Sequence, residues 1–443
     1  MAQTFTKTPA SGGTGNGGNP SGANAPKTQK KKTARPQQHI IRRFVGEIDR
    51  VFVVIVVLLV CIGLVTLFSS SYSFAERYYS DSYYLSRPQL LFALGGLAAM
   101  ALLAMFPAPV LKLLQAWALP IFIFTLLLNL AVPFVGVRIA GATRWIKIGP
   151  LPQFQPSELL KFSIVLLCSK YISVNQDRMN TLRYGLFGFA VIGGLAAVST
   201  LIQNHLSATI IVLVITVSMM WAAAGAARHF GAAIGAAGVL GVGAFTVGKP
   251  ILQKLVPHSF DRIMVWQNPF DYLKPETGSK GWQPVQSLYA ISSGGFWGVG
   301  LGQSVQKHGY LPEPYNDYIF AILCEETGFF GALLIIILFG VFAWRGYRIA
   351  FRSRDRFASL LVFGITTHVV LQVILNLAVV TNTIPSTGIS LPFFSHGGTS
   401  LILLLLEMGV VLGISRFSYE DKKEEPAQAE LPRQTVTTTE ESK

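Results

Sequence analysis

The sequence is dominated by apolar segments that are each close in length to a membrane-spanning helix. A helix needs ~20 residues to cross ~30 Å of hydrocarbon, and ten stretches of the chain approach that length. We therefore predict an all-α polytopic membrane protein with about ten transmembrane helices. The predicted spans are residues 51–68, 89–106, 111–133, 157–172, 184–201, 206–224, 229–247, 318–344, 357–380 and 399–415.

Composition argues against a soluble protein of two or three domains, although 443 residues would be long enough for one. Hydrophobic residues make up 51% of the chain and charged residues only 13%, whereas soluble domains carry about 25% charged residues. The three cysteines lie in or at the start of apolar segments, so we expect no disulfide framework. Half of the net charge of +14 comes from a basic lead before the first span, which is not the pattern of a nucleic-acid-binding face.

Two polar tails flank the predicted membrane domain, which we place at residues 47–416. Residues 1–46 and 417–443 are too polar to bury a core, so both are predicted to be disordered. An even number of spans puts both tails on one side, together with the short arginine-rich loop at residues 345–356. Short basic loops stay inside the cell, so both termini of this multi-pass membrane protein are predicted to be cytoplasmic.

Because successive spans cross the membrane in opposite directions, residues 248–317 are predicted to form a large extracellular loop between spans seven and eight. The loop is rich in aromatic residues and glycine turns, and structureless loops of this length are uncommon unless they are functional. We expect short helices packed at the outer membrane surface, with the functional site close to them.

Asp317 lies where this loop enters the eighth span, and it allows two interpretations. An acid or amide at a helix start is a good N-cap, which by position alone is the stronger reading for Asp317 or its neighbour Asn316. The other interpretation is a partly desolvated carboxylate that acts as a general base on a hydroxyl group.

Four further ionisable residues fall at predicted membrane depth, where a charge by default suggests function. Glu158 and Lys161 are three residues apart at the start of the fourth span, which suits an internal ion pair near the outer face, close in depth to the eighth span's entrance. Glu325 and Glu326 lie about 12 Å into the eighth span. For these two, interhelical hydrogen bonding and a functional role are equally compatible with the sequence.

Three polar residues of the ninth span, His368, Gln372 and Asn376, recur every four residues and form one helical stripe. Interhelical polar contacts explain this stripe better than a proton relay does. His205 stands alone at the start of the sixth span and is interpreted as structural. The sequence contains no cluster of metal-ligating residues at a recognised spacing, no phosphate-binding glycine loop and no nucleophile elbow.

Several short motifs, in one order along the chain, resemble those of the SEDS family (shape, elongation, division and sporulation), the RodA and FtsW type of cell-wall polymerase. The pair Gln306-Lys307 and the long N-terminal tail resemble the division member FtsW or its sporulation relative more than RodA. The motifs are GATRWI at 141–146, QPSELLK at 155–161, SGG at 293–295 with GLGQS at 300–304, LPE at 311–313 with DYIF at 317–320, and PSTG at 385–388 with LPFFSHGGTS at 391–400.

The sequence departs from the family pattern at two positions. An acid that commonly precedes the sixth span is replaced by His205, so a role tied to that acid does not carry over. The usual Ser-Tyr-Gly-Gly reads Ser395-His396-Gly397-Gly398, which keeps the turn glycines.

The resemblance implies an inverting peptidoglycan glycosyltransferase that polymerises lipid II at the outer face of the membrane, for septal wall synthesis in cell division. Asp317 matches the family's catalytic aspartate and is the expected general base. The leaving pyrophosphate needs cationic stabilisation, either from side chains, with Arg144, Lys147 and Lys161 as candidates, or from a divalent cation, Mg or Mn, for which no protein ligands are assigned. The expected substrate-binding residues are Arg144, Trp145, Lys147, Glu158, Lys161, Glu313, Ser395 and His396.

The implied partners are lipid II, a class B penicillin-binding protein that supplies transpeptidation, and other membrane proteins of cell division. Two alternatives are compatible with the spans and polar residues: a lipid flippase or transporter without covalent chemistry, and a scaffold without catalysis. Glycan formation from lipid II in detergent would exclude a flippase or transporter without covalent chemistry. Tolerance of substitution at Asp317 in cells would indicate the scaffold without catalysis.

Overall fold

Long helices make up most of the described part of the chain. The computed structural model describes residues 47–139, 142–147, 153–223, 257–275 and 279–417. The helices are α1 (Arg50–Tyr79), α2 (Ser86–Met105), α3 (Pro107–Val135), α4 (Pro156–Val174), α5 (Gly188–Leu201), α6 (Leu206–Ala222), α7 (Pro257–Gln267), α8 (Trp282–Ser293), α9 (Ile319–Arg352), α10 (Arg356–Val380) and α11 (Gly398–Ser415). A short antiparallel hairpin, β1 (Val137–Ile139) and β2 (Ala142–Trp145), lies between α3 and α4.

Within the described residues, seven helices are long and apolar enough to cross a membrane, which agrees with a polytopic membrane protein. Such spans are helical because hydrocarbon offers the backbone no other hydrogen-bond partners. Helix α6 is apolar but shorter, and the predicted span at 229–247 lies outside the described residues. The number of ten spans therefore stays a prediction. The seven are Arg50–Tyr79, Ser86–Met105, Pro107–Val135, Arg183–Leu201, Ile319–Arg352, Arg356–Val380 and Gly398–Ser415.

Helix α4 forms at the predicted fourth span but is not one of these seven. It packs against α3, α5, α6 and α10, and most of its side chains are buried. Neighbouring helices therefore surround α4, and the polar groups that it carries find partners within the protein. This position explains how Lys161, which is only 2% exposed, is accommodated.

The first and last described helices meet at one end of the bundle. The backbone amide of Asp49, the N-cap of α1, donates a hydrogen bond of 3.1 Å to Ser415 Oγ at the end of α11. The carboxylate of Asp49 also pairs with Arg345 near the end of α9 at 2.6 Å. The beginning of α1 and the end of α11 therefore lie at the same end of the described bundle.

The opposite end carries the short helices predicted for the 248–317 loop. Helix α8 packs against the beginning of α9, and 3-10 turns form at Pro269–Leu273 and Gln306–His308. These elements bring the loop into contact with the bundle and hold the entrance of α9.

Helix α9 is broken at Gly328, whose φ of +68° lies in the left-handed region. The loop after α8 fills the break: Val299 N–H donates to the carbonyl of Glu325 at 3.0 Å, and Phe329 N–H donates to the carbonyl of Gly295 at 2.9 Å. A Cβ atom at Gly328 would lie 2.3 Å from the backbone nitrogen of Gly298, so only glycine fits. The loop satisfies the backbone groups that the break exposes.

Glu325 and Glu326 both have structural partners. Glu326 pairs with Lys307 at 2.7 Å and accepts a hydrogen bond of 2.6 Å from Ser69 Oγ of α1. Glu325 accepts hydrogen bonds from Val305 N–H at 2.9 Å and from the hydroxyl of Ser304. The two acids fasten the loop before α9 to the bundle, which is the structural alternative considered from the sequence.

Candidate active site

Asp317 lies in the turn before α9 and does not cap that helix. The N-cap position belongs to Tyr318, and no side chain makes a capping hydrogen bond there. The amide of Asn316 instead donates to Glu313 Oε2 at 2.8 Å. The capping interpretation of Asn316 and Asp317 is therefore wrong, because α9 begins one residue later than a cap at Asp317 requires. A structural reason for an acid at Asp317 is thereby removed.

The backbone around Asp317 is fixed from two directions. Asn376 Nδ2 of α10 donates to the carbonyl of Asp317 at 2.7 Å and to that of Ile389 at 2.6 Å. Ser395 Oγ donates to the carbonyl of Asn316 at 2.7 Å, and the backbone amide of His396 donates to the carbonyl of Tyr315 at 2.9 Å. The turn is held through its backbone, and no side chain of the described residues donates a hydrogen bond to the carboxylate of Asp317.

Gly388, in the PSTG motif, lies beside the carboxylate of Asp317. A Cβ atom built on Gly388 would lie 3.7 Å from Asp317 Oδ2, and among the described residues no other heavy atom outside Gly388 and its two chain neighbours would lie within 4 Å of it. The φ of Gly388 is +70°, a conformation that disfavours other residues. Glycine thus allows the motif to turn next to the acid without covering it.

Burial raises the pKa of Asp317 to about 6, well above that of an ordinary aspartate. A hydrogen bond to its own backbone lowers the pKa, the nearby charge of Glu313 raises it, and that of Arg262 lowers it. A carboxyl group with a pKa near 6 is mostly ionised at neutral pH and is a stronger base than an exposed aspartate. These are properties of a general base.

Three positively charged side chains act on His205, which lies on the same side of the bundle as Asp317. Burial lowers the pKa of His205 well below its usual value, and the charges of Arg144, Lys161 and Arg262 lower it further, so this histidine is neutral. Burial and the charge of Arg262 also lower the pKa of Arg144. Arg144 Nη2 donates to the carbonyl of Asn204, next to His205, at 2.8 Å. We refer to Arg144, Lys161 and Arg262 as the cationic cluster.

Arg262 had no predicted role, although its charge lowers the pKa of both Asp317 and His205. It lies on α7, and its Nη1 donates to the carbonyl of Ser386 in the PSTG motif at 3.2 Å. The sequence shows only one arginine within the long loop. Arg262 comes close to Asp317 and His205 only because the long loop folds back onto the bundle, and the spacing of residues along the sequence does not predict this.

Glu158 and Lys161 form the predicted ion pair at 2.9 Å. Lys161 Nζ also donates to Gln372 Oε1 at 2.9 Å, and Gln372 Nε2 donates to the carbonyl of Ser390 at 3.0 Å. Gln372 lies one turn of α10 from Asn376, which binds the backbone of Asp317. The polar stripe of the ninth span therefore makes the predicted interhelical contacts, and it connects the ion pair to the base.

A small cavity of about 30 Å³, room for about one water molecule and lined by both polar and apolar side chains, lies beside this ion pair. Two of the predicted site residues, Glu158 and Ser395, line it, whereas Asp317 does not. His368 and Glu407 line its deeper part, with Nδ1 and Oε2 at 3.5 Å.

The other predicted residues occupy separate positions. Trp145 is part of β2 and partly buried, Lys147 is exposed just after the hairpin, and Glu313 is exposed with φ of +45°. The ring of His396 packs edge-on against Tyr315, with centroids 5.9 Å apart. Ser395 and His396 contact the turn that carries Asp317. Contact of these two residues with the substrate stays a prediction.

The described residues contain no group of three or more His, Cys, Asp or Glu side chains able to hold a metal ion. Near Asp317 the acidic neighbour is Glu313, and the nearby Arg262 disfavours a cation at the same place. The protein ligands present there do not fit a metal site, and we derive no step through a metal.

The chain is similar to known proteins along nearly all of its membrane domain. A family model described as cell cycle protein, of the FtsW, RodA and SpoVE type, matches residues 49–420. Stage V sporulation protein E of Bacillus subtilis (strain 168) is 37% identical over 372 residues, which cover 84% of this chain and 97% of that protein. The probable peptidoglycan glycosyltransferase FtsW of Geobacter sp. (strain M18) is 34% identical over 83% of this chain and 96% of that protein.

Solved structures have the same fold. A chain from a peptidoglycan synthase complex, described as coordinating polymerization and crosslinking, matches with a TM-score of 0.64 and 26% identity, over 84% of this chain and 99% of that chain. Rod shape determining protein RodA of Thermus thermophilus matches with a TM-score of 0.59 and 25% identity, over 84% and 98% of the two chains. Both similarities extend over almost the whole of the matched chains.

Proposed function

Since the chain belongs to the FtsW/RodA/SpoVE family of cell cycle proteins and is a peptidoglycan glycosyltransferase, we propose that it polymerises lipid II with Asp317 as the general base. The observation that carries this assignment is the environment of Asp317. The carboxylate caps no helix, its backbone is fixed by Asn376, and burial raises its pKa to about 6.

The reaction joins two sugars in one displacement. Asp317 accepts the proton of the acceptor sugar's 4-hydroxyl group, and the freed oxygen attacks the anomeric carbon of the donor. The bond from that carbon to the pyrophosphate oxygen breaks, and polyprenyl pyrophosphate leaves with the bonding electrons. A single displacement inverts the configuration at the anomeric carbon.

The departing pyrophosphate carries negative charge, and in this proposal the cationic cluster stabilises it. Arg144, Lys161 and Arg262 all lower the pKa of the buried His205, so their fields overlap at one place. Fixed positive groups act most strongly where water is excluded. In this proposal Lys161 is oriented by Glu158 and Gln372, and Arg144 by the carbonyl of Asn204.

The protein is a multi-pass plasma membrane protein, and we assign its orientation from charge. The end where α1 begins and α11 ends carries Arg345, Arg348 and Arg352, which favours the cytoplasm. Asp317 lies at the other end of α9 and therefore faces the outside, where a septal polymerase acts. A class B penicillin-binding protein is the proposed partner for cross-linking, because a related structure is a peptidoglycan synthase complex.

The test is polymerisation of purified lipid II in detergent, with and without the cognate transpeptidase. Asp317→Asn and Asp317→Ala are expected to lower the rate by at least ~10²-fold, the usual contribution of a general base. Asp271→Asn is the matched control, because Asp271 is an exposed acid of the same loop. Wild-type polymerisation by Asp317→Ala would refute the assignment, and the absence of any glycan product from the native protein with its partner would favour a flippase.

A further inference from the structure

A second cavity lies at the opposite end of α9 from Asp317, and the proposed reaction does not use it. Its volume is about 330 Å³. It is formed where α1 begins and where α9 and α11 end, and Ser415 lines it. Because this end of the bundle adjoins the bilayer surface, lipid headgroups have access to the cavity.

The cavity has more positive than negative side chains. Arg50 pairs with Glu47 at 2.6 Å, and Arg345 pairs with Asp49 at 2.6 Å, so these four charges balance. Two further arginines also line the cavity, Arg348 and Arg352, and no carboxylate within salt-bridge distance faces either of them among the described residues. The lining therefore has an excess of two positive charges.

The two unmatched arginines are four residues apart on α9, which places them on one face, ~6 Å apart along the axis. Arginine side chains at this spacing can each present a planar pair of N–H donors to one phosphodiester group. A phosphodiester has two non-bridging oxygens and a single negative charge, which suits two guanidinium groups.

A tryptophan sets the depth of this cavity relative to the membrane. Trp344 is 57% exposed, and the guanidinium carbons of Arg345 and Arg348 lie 5.5 and 5.4 Å from its ring centroid. Exposed tryptophans of membrane helices concentrate at headgroup level. Packing on this ring also holds Arg348 in place at the level where lipid phosphates lie.

We propose that this cavity binds the phosphate of an anionic phospholipid, with Arg348 and Arg352 as the main ligands. Basic pockets between membrane helices bind such headgroups. The site accepts the phosphodiester and excludes no particular acyl chain, because the chains remain in the bilayer. This proposal is independent of the base assignment to Asp317.

The experiment measures binding of phosphatidylglycerol to the delipidated full-length protein in detergent by native mass spectrometry. The double variant Arg348→Gln/Arg352→Gln is expected to bind phosphatidylglycerol at least tenfold more weakly than the native protein. Lys112→Gln is the matched control, since Lys112 is an exposed cation at the start of α3, outside the cavity, and this variant should bind within twofold of the native protein. Both variants should keep their glycan polymerisation rate, which shows that they are folded.

Three outcomes overturn the proposal. Equal affinity for phosphatidylethanolamine would show that net negative charge is not what is recognised. If millimolar inorganic phosphate displaces the lipid and stabilises the protein against unfolding as much as the lipid does, the ligand is a soluble phosphate. A tenfold gain in lipid affinity in the variant Glu424→Gln/Glu425→Gln would show that the acidic C-terminal segment is the occupant.

Discussion

The amide nitrogen of Asn376 lies 2.7 Å from the carbonyl oxygen of Asp317 and donates a hydrogen bond to it. The same nitrogen lies 2.6 Å from the carbonyl of Ile389, so one side chain of α10 joins the turn before α9 to the segment after the PSTG motif. The position of the proposed base is thus determined by a third element, and not by α9 itself.

Replacing Asn376 with leucine is expected to lower kcat by roughly 10²-fold, since a displacement of about 1 Å at a reacting group has costs of this size. Asn376 is a positioning residue, so KM for lipid II should change little. Steady-state kinetics of glycan formation measure both constants. Thr381→Ala, an exposed change at the end of the same helix, is the control. An unchanged kcat in Asn376→Leu would show that this hydrogen bond does not position the base.

The rate of polymerisation is expected to fall on the acid side with an apparent pKa near 6, because the base must be ionised and burial raises the pKa of Asp317 to about 6. The charge of Glu313 raises this pKa and that of Arg262 lowers it. Glu313→Gln should therefore shift the acid limb to lower pH, and Arg262→Gln should shift it to higher pH.

The measurement is the pH profile of kcat/KM between about pH 4.5 and 8 for the three proteins. Asp271→Asn, an acid farther along the same loop, should leave the limb in place. Shifts of the same sign in both variants, or no shift in either, would contradict the assignment of the limb to Asp317.

Lys307→Met is expected to destabilise the protein strongly, by about 3–5 kcal/mol, because it leaves a buried carboxylate without its partner. The side chains of Lys307 and Glu326 are 0% and 1% exposed at a distance of 2.7 Å. The double variant Lys307→Met/Glu326→Leu should recover most of this loss. Thermal unfolding of the purified variants in detergent tests the comparison, and equal stability of the single and double variants would count against a buried ion pair.

The Glu158 and Lys161 pair offers a contrasting test, because Lys161 is assigned a role beyond structure. If the pair were structural only, replacing both residues by apolar ones would be milder than removing either alone. We expect instead that Lys161→Met and Glu158→Leu/Lys161→Met both lose polymerisation by at least tenfold while the double variant folds normally. Near-native polymerisation by the double variant would remove Lys161 from the cationic cluster.

The predicted spans agree with the beginnings and ends of most described helices, but two helices extend well beyond their predicted ends. The first span was predicted at 51–68, whereas α1 runs from Arg50 to Tyr79. Hydropathy marks only the part of a helix inside hydrocarbon, and the serine- and tyrosine-rich end of α1 continues beyond it because its backbone hydrogen bonds still form. The same limit applies to α9, which extends beyond Trp344 to Arg352.

The site was predictable where its residues share a helix. The ion pair of Glu158 and Lys161 and the stripe along α10 follow from helical spacing alone. The approach of Arg262 to Asp317, and of Lys307 to Glu326, depends on how the long loop folds back onto the bundle. Local spacing carries no information on such contacts, so neither was predicted.

The break at Gly328 divides α9 into two helical pieces, and the loop after α8 binds both of them. Val299 N–H donates to the piece nearer Asp317, and the carbonyl of Gly295 accepts a hydrogen bond from Phe329 in the other piece. A substitution that displaces this loop would therefore disturb both pieces of the span at once, and with them the turn that carries the proposed base.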